Sequence, residues 1–455
     1  MMFLLFLACG QQDALVKKSE PSMEEKGLPA GDVLPIHNQI IRMAMTSDSA
    51  YERLSEMCDD FGPRISGSLA LERAGDWMMQ QLEQDGLTNL NRQSVLVQHW
   101  IRGQESLQLL SPHTETLPML GLGMSVGTDG LPIEGEVIVV QTLDDLKNSP
   151  AQDIKDKVVL INQPFEDYGK TVKIRMSGPT EAAKLGAKAA LIRSVAPHGH
   201  QTPHTGATSY DGEYKIPAAA ISLEDAERLS RFQDRGKDIR VSLTMDAEMG
   251  SPAESSNVMG DIKGHTLPNE VVAMGCHLDS WDVGQGAQDD GAGCMMVLEA
   301  ARILRMLPDP PKRTIRAVFF TNEENGLAGG RQYAESHSGS HFAAIEADIG
   351  AGAPQYFSYK LPEGGVLDPL TKDLDALMPA LRTLGMNAFQ AGFAGADINP
   401  LVGQGVIGFG LKMDTAGYWP IHHTHADTVD KVDPVQLKRN SAAIALLAWT
   451  LANAE

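Results

Sequence analysis

His277-Leu278-Asp279, Gln288-Asp289-Asp290-Gly291 and Asn322-Glu323-Glu324 follow one another along the chain, each just after an apolar run. A histidine, an aspartate and a glutamate pair in that order suit a two-metal hydrolase. Two divalent ions need about three protein ligands each plus a shared oxygen, and zinc accepts imidazole with carboxylate. The paired glutamates have distinct uses in such a site. One carboxylate binds metal, while the other stays free to take a proton from a bridging water. On this reading Glu324 is the ligand and Glu323 the general base and acid. Asp289 lies in a glycine-rich turn at a helix start, where both its oxygens could bridge two ions. Asp290 is then the helix cap, although the two could exchange. Asp279 is close enough to His277 for its carboxylate to accept the free ring N–H and fix the tautomer. A further carboxylate is expected from Asp348, with Glu346 as its rival. A closing histidine is expected from His423, with His422 and His425 as alternatives.

These residues need elements that aim them at one place. Val271–Gly275, Thr314–Phe320, Phe342–Ala347 and Val406–Met413 read as strands, rich in β-branched and aromatic residues. Gly291–Leu307 reads as a helix stopped by Pro308, and a last helix starts at Asp433-Pro434 and runs to Leu451. Alternating strands and helices predict an α/β fold, a mostly parallel mixed sheet covered by helices on both faces. His277, the glutamate pair and Asp348 each follow a strand, so they project from one edge, where open α/β sheets bind ligands. Upstream, Leu69–Gln84 reads as a helix with Gly86 just past its end, and Val95–Trp100 as a strand. Strand-like runs at Glu136–Val140, Lys157–Ile161, Ala189–Ile192 and Ala218–Ser222 suggest a separate α/β insertion. The organisation expected is an export signal and tether over 1–34, a first segment of the main domain over 35–117, the insertion over 118–247, and a second segment with the metal site over 248–455. His198, His200 and His204 read as solvated loop histidines. Trp281, Asp282, Gly284 and Gly286 read as shaping the loop between ligands, and Asp397 as structural or substrate-facing.

The chain has 455 residues and a formal charge of -21. So acidic a body repels polyanions, which argues against nucleic acid as a partner. Met1–Gly10 is apolar but too short to span a bilayer. Its Leu7-Ala8-Cys9 end resembles a bacterial lipoprotein cleavage site, so export is expected, with a lipid anchor at Cys9. Cys58, Cys276 and Cys294 form no CxxC pair and read as small core residues.

The whole set resembles the co-catalytic zinc exopeptidases, the family of bacterial leucyl aminopeptidases and glutamate carboxypeptidases. That family's pattern is His-x-Asp, a bridging Asp, Glu-Glu, a further Asp or Glu, and a His four residues before an Asp. The resemblance selects His423, because Asp427 stands four residues on, and it favours Asp348. It is closest to a carboxypeptidase branch in Gly62-Pro63-Arg64-Ile65-Ser66-Gly67-Ser68, Ile161-Asn162-Gln163-Pro164, Leu191–Val195, Pro203-His204-Thr205-Gly206 and His277–Gly286. It covers nearly everything after about residue 35. It implies two zinc ions per chain, a protease-associated domain as the insertion, and a secreted or lumenal homodimer cleaving dipeptides or short peptides with free termini. Gln288 and Glu346-Ala347-Asp348-Ile349 depart from the eukaryotic form. An aminopeptidase acting on longer peptides, and an inactive peptide-binding lipoprotein, are the rival readings.

Overall fold

The central strands carry apolar side chains on both sides of their pleat. Val272, Met274 and Cys276 enter one core, and Ala273, on the opposite face, enters another. Ile315, Ala317 and Phe319 alternate in the same way with Val318 and Phe320. A sheet apolar on both faces must be covered on both. In a computed structural model describing residues 35–455, helices Pro35–Met45, Ser49–Phe61, Leu69–Gln84, Ala292–Arg305 and Pro434–Asn453 pack on one face. Ala328–Ser336 and Asn399–Gly403 pack on the other. Cys9 and the expected tether lie outside the described residues. Among the described residues no helix is long and apolar enough to cross a membrane.

The sheet is mixed, in the order 88–97, 253–262, 313–320, 267–277, 341–346, 407–413, 354–360, 389–391. The run from 313–320 to 407–413 is parallel, and the remaining pairings are antiparallel except that between 354–360 and 389–391. Strand Leu267–His277 sits where the connections diverge. The chain leaves it through Ala292–Arg305 to one neighbour, and its other neighbour is reached only later. Such a switch point opens a crevice beyond the strand ends. The last helix begins as expected, the Asp433 carboxylate accepting from the backbone N–H of Val435 at 2.8 Å and Gln436 at 3.4 Å.

A second sheet holds parallel strands Ile133–Val140, Val158–Ile161, Ala189–Arg193 and Ala218–Ile221. Helix Lys173–Lys184 leads into Ala189–Arg193. Glu105–Ser111 and Glu115–Leu117 also pair into this sheet, through Arg240–Met245. Residues 105–117, expected in the first peptidase segment, are therefore built into the insertion. Their signal is short-range alternation, with only Leu107, Leu109 and Leu117 reaching the core, and the partner that decides their placement is remote in sequence. The two chain crossings between the sheets pair with each other, Trp100–Ile101 against Glu248–Met249.

Candidate active site

Each expected site residue reaches the crevice from a strand end or a turn beyond one. His277 is the last residue of its strand. Glu323 and Glu324 follow Arg313–Phe320, and Asp348 follows His341–Glu346. His423 lies in the turn-rich segment after Ile407–Met413. Asp289 sits at the centre of the cluster and divides its oxygens. Its Oδ1 lies 3.3 Å from His277 Nε2, which is also 3.4 Å from Asp348 Oδ1. Its Oδ2 lies 3.1 Å from His423 Nε2, which is also 3.1 Å from Glu324 Oε2. Two imidazole–carboxylate sets thus share one aspartate.

The donor set fits two metal ions. Donors held about 2.0–2.1 Å from a tetrahedral zinc stand about 3.3 Å apart, close to the separations found. All of these groups but the partly exposed Asp348 are buried, and Glu324 Oε1 has no hydrogen-bond partner. Burial, then the Asp289 charge, pushes the Glu324 carboxyl up to about 7. Burial pulls His423 down, but Glu324 and Asp289 outweigh it and raise it to about 9. A carboxyl that resists ionising beside an imidazole that holds its proton fits a seat built for a cation. Glu323 differs from these groups. Its carboxylate makes no hydrogen bond among the described residues. Burial, then the charge of Asp348, raises its pKa well above the ordinary value.

The alternatives left open by the sequence separate through hydrogen bonds. Asp290 turns away from Asp289, and its carboxylate accepts from the N–H of Gly293 at 3.1 Å and of His277 at 3.2 Å. It caps the helix. Glu346 accepts from the N–H of Ala396 at 2.7 Å and Ile398 at 2.8 Å, which leaves Asp348 for the cluster. His425 is exposed. His422 stacks on His423 with centroids 3.5 Å apart, and its Nε2 is 3.6 Å from Asp289, a longer approach than that of His423. Asp279 behaves differently from expectation. His277 Nδ1 lies 2.9 Å from the Asp279 carbonyl and 3.8 Å from its carboxylate. The carboxylate instead accepts from the N–H of Glu323 at 3.0 Å and Glu324 at 3.3 Å, and from Ser66 Oγ at 3.2 Å. It positions the glutamate pair, while the local backbone fixes the imidazole.

Other residues hold the frame. Asp427 accepts from the N–H of Gln288 at 2.7 Å and of Asp289 at 3.1 Å, pinning the bridging turn. Arg64 is fully buried and donates to the carbonyls of Gly62, Leu278, Gln285 and Gly286, clamping the loop after His277. Gly286 closes that loop with φ +57°, and a Cβ there would meet Ser280 at 2.3 Å. Asp282 pairs with Arg102 at 2.6 Å, tying the loop to the crossing segment. Gln288 donates to the Lys431 carbonyl at 2.8 Å and accepts from Ala351 N–H at 2.7 Å. Cys276 and Cys294 are buried beside Asp290, but that carboxylate is already taken and burial raises the Cys276 thiol.

Sequence reading missed what the insertion supplies. His198 and His200 are exposed as expected, but His204 is 2 % exposed and lies against the site. It is not a solvated loop histidine. The next residue, Thr205, donates its N–H to the His423 carbonyl at 3.0 Å, and its own carbonyl faces His423 Nδ1 at 3.3 Å. Arg175, also buried, donates to the same carbonyl at 3.0 Å and to Tyr168 Oη at 2.9 Å. Tyr168 stacks on Trp419 at 4.9 Å. Between the two sheets lies a cavity of about 750 Å³. Its floor includes Glu323, Asp348 and Lys412, and its roof includes Tyr168, Arg175 and Met176. No short motif flags these positions, because their place depends on how the insertion lies over the sheet.

Comparison with known proteins agrees with this geometry. The model of peptidase family M28 matches residues 257–448, and that of the PA domain matches residues 133–229. Carboxypeptidase Q from Mus musculus is 38% identical, over 99% of this chain and 98% of its own length. The Homo sapiens protein of that name is 37% identical, over 99% and 96%. A crystal structure of a peptidase M28 precursor from Shewanella amazonensis is 34% identical, covers 92% of this chain and 96% of its own, and superposes with a TM-score of 0.88. A zinc aminopeptidase from Bacillus subtilis shares the fold at 20% identity, with a TM-score of 0.65 over 87% of this chain and 93% of its own.

Proposed function

The chain belongs to peptidase family M28 and is a metallo-exopeptidase, and from that premise we propose that it uses two zinc ions to hydrolyse dipeptides and short peptides with free termini. The single observation that carries the reading is the division of the Asp289 carboxylate between two histidine–carboxylate sets. His277, Asp348 and Asp289 would hold one ion, and His423, Glu324 and Asp289 the other. Bound there, two divalent ions supply Lewis acidity toward the scissile carbonyl and lower the pKa of a water between them from 15.7 towards about 7.

The chain's own residues do the rest. The Glu323 carboxylate, free of hydrogen bonds, takes the proton of the attacking water and returns it to the leaving amine. Asp279 holds Glu323 by its backbone N–H, so base and ligand move as one unit. The roof formed by Tyr168, Arg175 and Met176 limits the length of chain that fits and sheds water from the cleft. Export with a lipid anchor at Cys9 rests on the Leu7-Ala8-Cys9 stretch, and homodimer formation rests on the family resemblance. The test is turnover of a dipeptide panel before and after chelation, with blocked and free C-termini compared. Activity should vanish with the metal and return with zinc, at two ions per chain. Undiminished turnover in metal-free protein would sink the scheme, and preference for long peptides with blocked C-termini would replace it with an aminopeptidase.

A further inference from the structure

Lys412 stands on the interior strand Ile407–Met413, with Leu411 and Met413 buried on either side. It pairs across the sheet with Tyr356. Its side chain reaches the floor of the cavity at the end that also contains Asp348, Ile349 and Phe393. Its ammonium makes no hydrogen bond or ion pair among the described residues. The face of Phe393 lies beside it, with its centroid 5.9 Å from Nζ. Phe393 is itself 56% exposed, so this aromatic wall is open to whatever enters. Burial lowers the Lys412 pKa, against the pull of Asp348 and Glu346. Neither acid is a partner to spare, since Glu346 is held by two backbone N–H groups and Asp348 by the cluster.

A lysine that merely solvates a surface extends its amine into water. Lys412 is on a strand paired on both sides, and its head lies in a cleft roofed by the insertion. A partly desolvated ammonium with no ion-pair partner among the described residues, beside an open aromatic wall, is matched to an anion carried by the ligand. A carboxylate is the anion that a peptide offers. We propose that Lys412 determines specificity by receiving a substrate carboxylate, so that the preferred peptides carry one at the Asp348 end of the cavity. This rests on the peptidase reading above and names the substrate class within it. The carboxylate can be the free C-terminus or the side chain of an acidic residue, and both offer the same chemistry to the amine.

The test compares matched peptides on the zinc-loaded full-length protein and on Lys412→Met and Lys412→Arg. Ala-Gln against its C-terminal amide isolates the terminal carboxylate. Ala-Glu against Ala-Gln, and Glu-Ala against Gln-Ala, isolate the side chain. For the pair that carries the recognised group, Lys412→Met should raise KM of the acid by about 10- to 100-fold more than KM of its amide, the range for a hydrogen bond to a charged partner. The loss should fall on KM rather than kcat, and Lys412→Arg should restore part of the preference. Calorimetric titration of the same proteins with glutamate, glutamine and glutamine α-amide reads binding without turnover, and Lys412→Met should abolish the preference for the member of the pair that carries the recognised carboxylate. Equal effects of Lys412→Met on acids and amides in both measurements would overturn the assignment. Lys412-dependent glutamate binding without hydrolysis of any peptide would uphold it and overturn the peptidase reading instead.

Discussion

The peptidase sheet and the inserted sheet are built alike, each with a parallel centre whose strands end in polar residues, yet those ends behave in opposite ways. In the insertion most strand-end groups pair with one another, although Arg193 Nε has no partner. Arg193 donates to Asn162 Oδ1 at 2.9 Å, Asn162 to Gln141 at 3.4 Å, and Ser194 Oγ to the Ile221 carbonyl at 2.7 Å. In the peptidase sheet, carboxylates and imidazoles converge with too few protons and donors among them, and Glu324 Oε1 is left without a partner. Buried polar groups are normally paired, so the same edge reads as scaffold in one sheet and as chemistry in the other. The insertion is not idle, however. Both site histidines rest Nδ1 near a backbone carbonyl, but His277 uses Asp279 in its own loop, whereas His423 uses Thr205 of the insertion.

The sharpest break in the comparison is at Glu323. Glu323→Gln should keep both metals, measured by elemental analysis, and lose about 10²- to 10⁴-fold in kcat. Lost metal instead would move Glu323 from proton transfer to ligation. The next effect crosses between the two regions. Arg175→Met removes the donor that holds the Thr205 carbonyl beside His423, and should weaken affinity for one ion of the pair by about 10- to 100-fold, as partners behind a ligand do. Competition with a chelator would show this as one tight and one weakened site. Two unchanged sites would make the insertion a roof only. The smallest effect is on stability. Burial, with His423 and Arg175 nearby, lowers His204 from 6.5 to about 3. The unfolded chain therefore binds that proton more readily. Stability from this residue is full above pH about 6.5 and is lost as pH falls from there towards 3. His204→Leu should flatten that acid slope in a series of thermal melts, and an unchanged slope would place the acid sensitivity elsewhere.

Much of the site was legible because its candidate residues follow strands, and strands announce themselves through β-branched and aromatic runs. His277, Asp289, Glu323, Glu324, Asp348 and His423 all converge on the crevice. The carboxylate of Asp279 was placed on the wrong partner. Proximity in sequence pointed to the His277 ring, but the pleat carries the side chain toward the neighbouring strand end, where two backbone N–H groups wait. Residues 105–117 were placed in the first segment, 35–117, yet they pair into the second sheet, because a short alternating strand does not name its partner. His204 looked like a polar loop residue, and nothing within its own segment reports that the second sheet buries it.

The order and chemical type of the donors, and the alternation that makes two apolar faces, are local properties, and the amino-acid sequence alone determined them. Which oxygen of Asp289 meets which imidazole, which carbonyl steadies His423, and which cation is left without an ion-pair partner were decided only by the tertiary structure. Backbone carbonyls are the same in every residue, and the contacts that select one of them join segments as far apart as Thr205 and His423. Charge compensation at Lys412 is likewise a sum over everything that folds around it, and no window of sequence contains that sum.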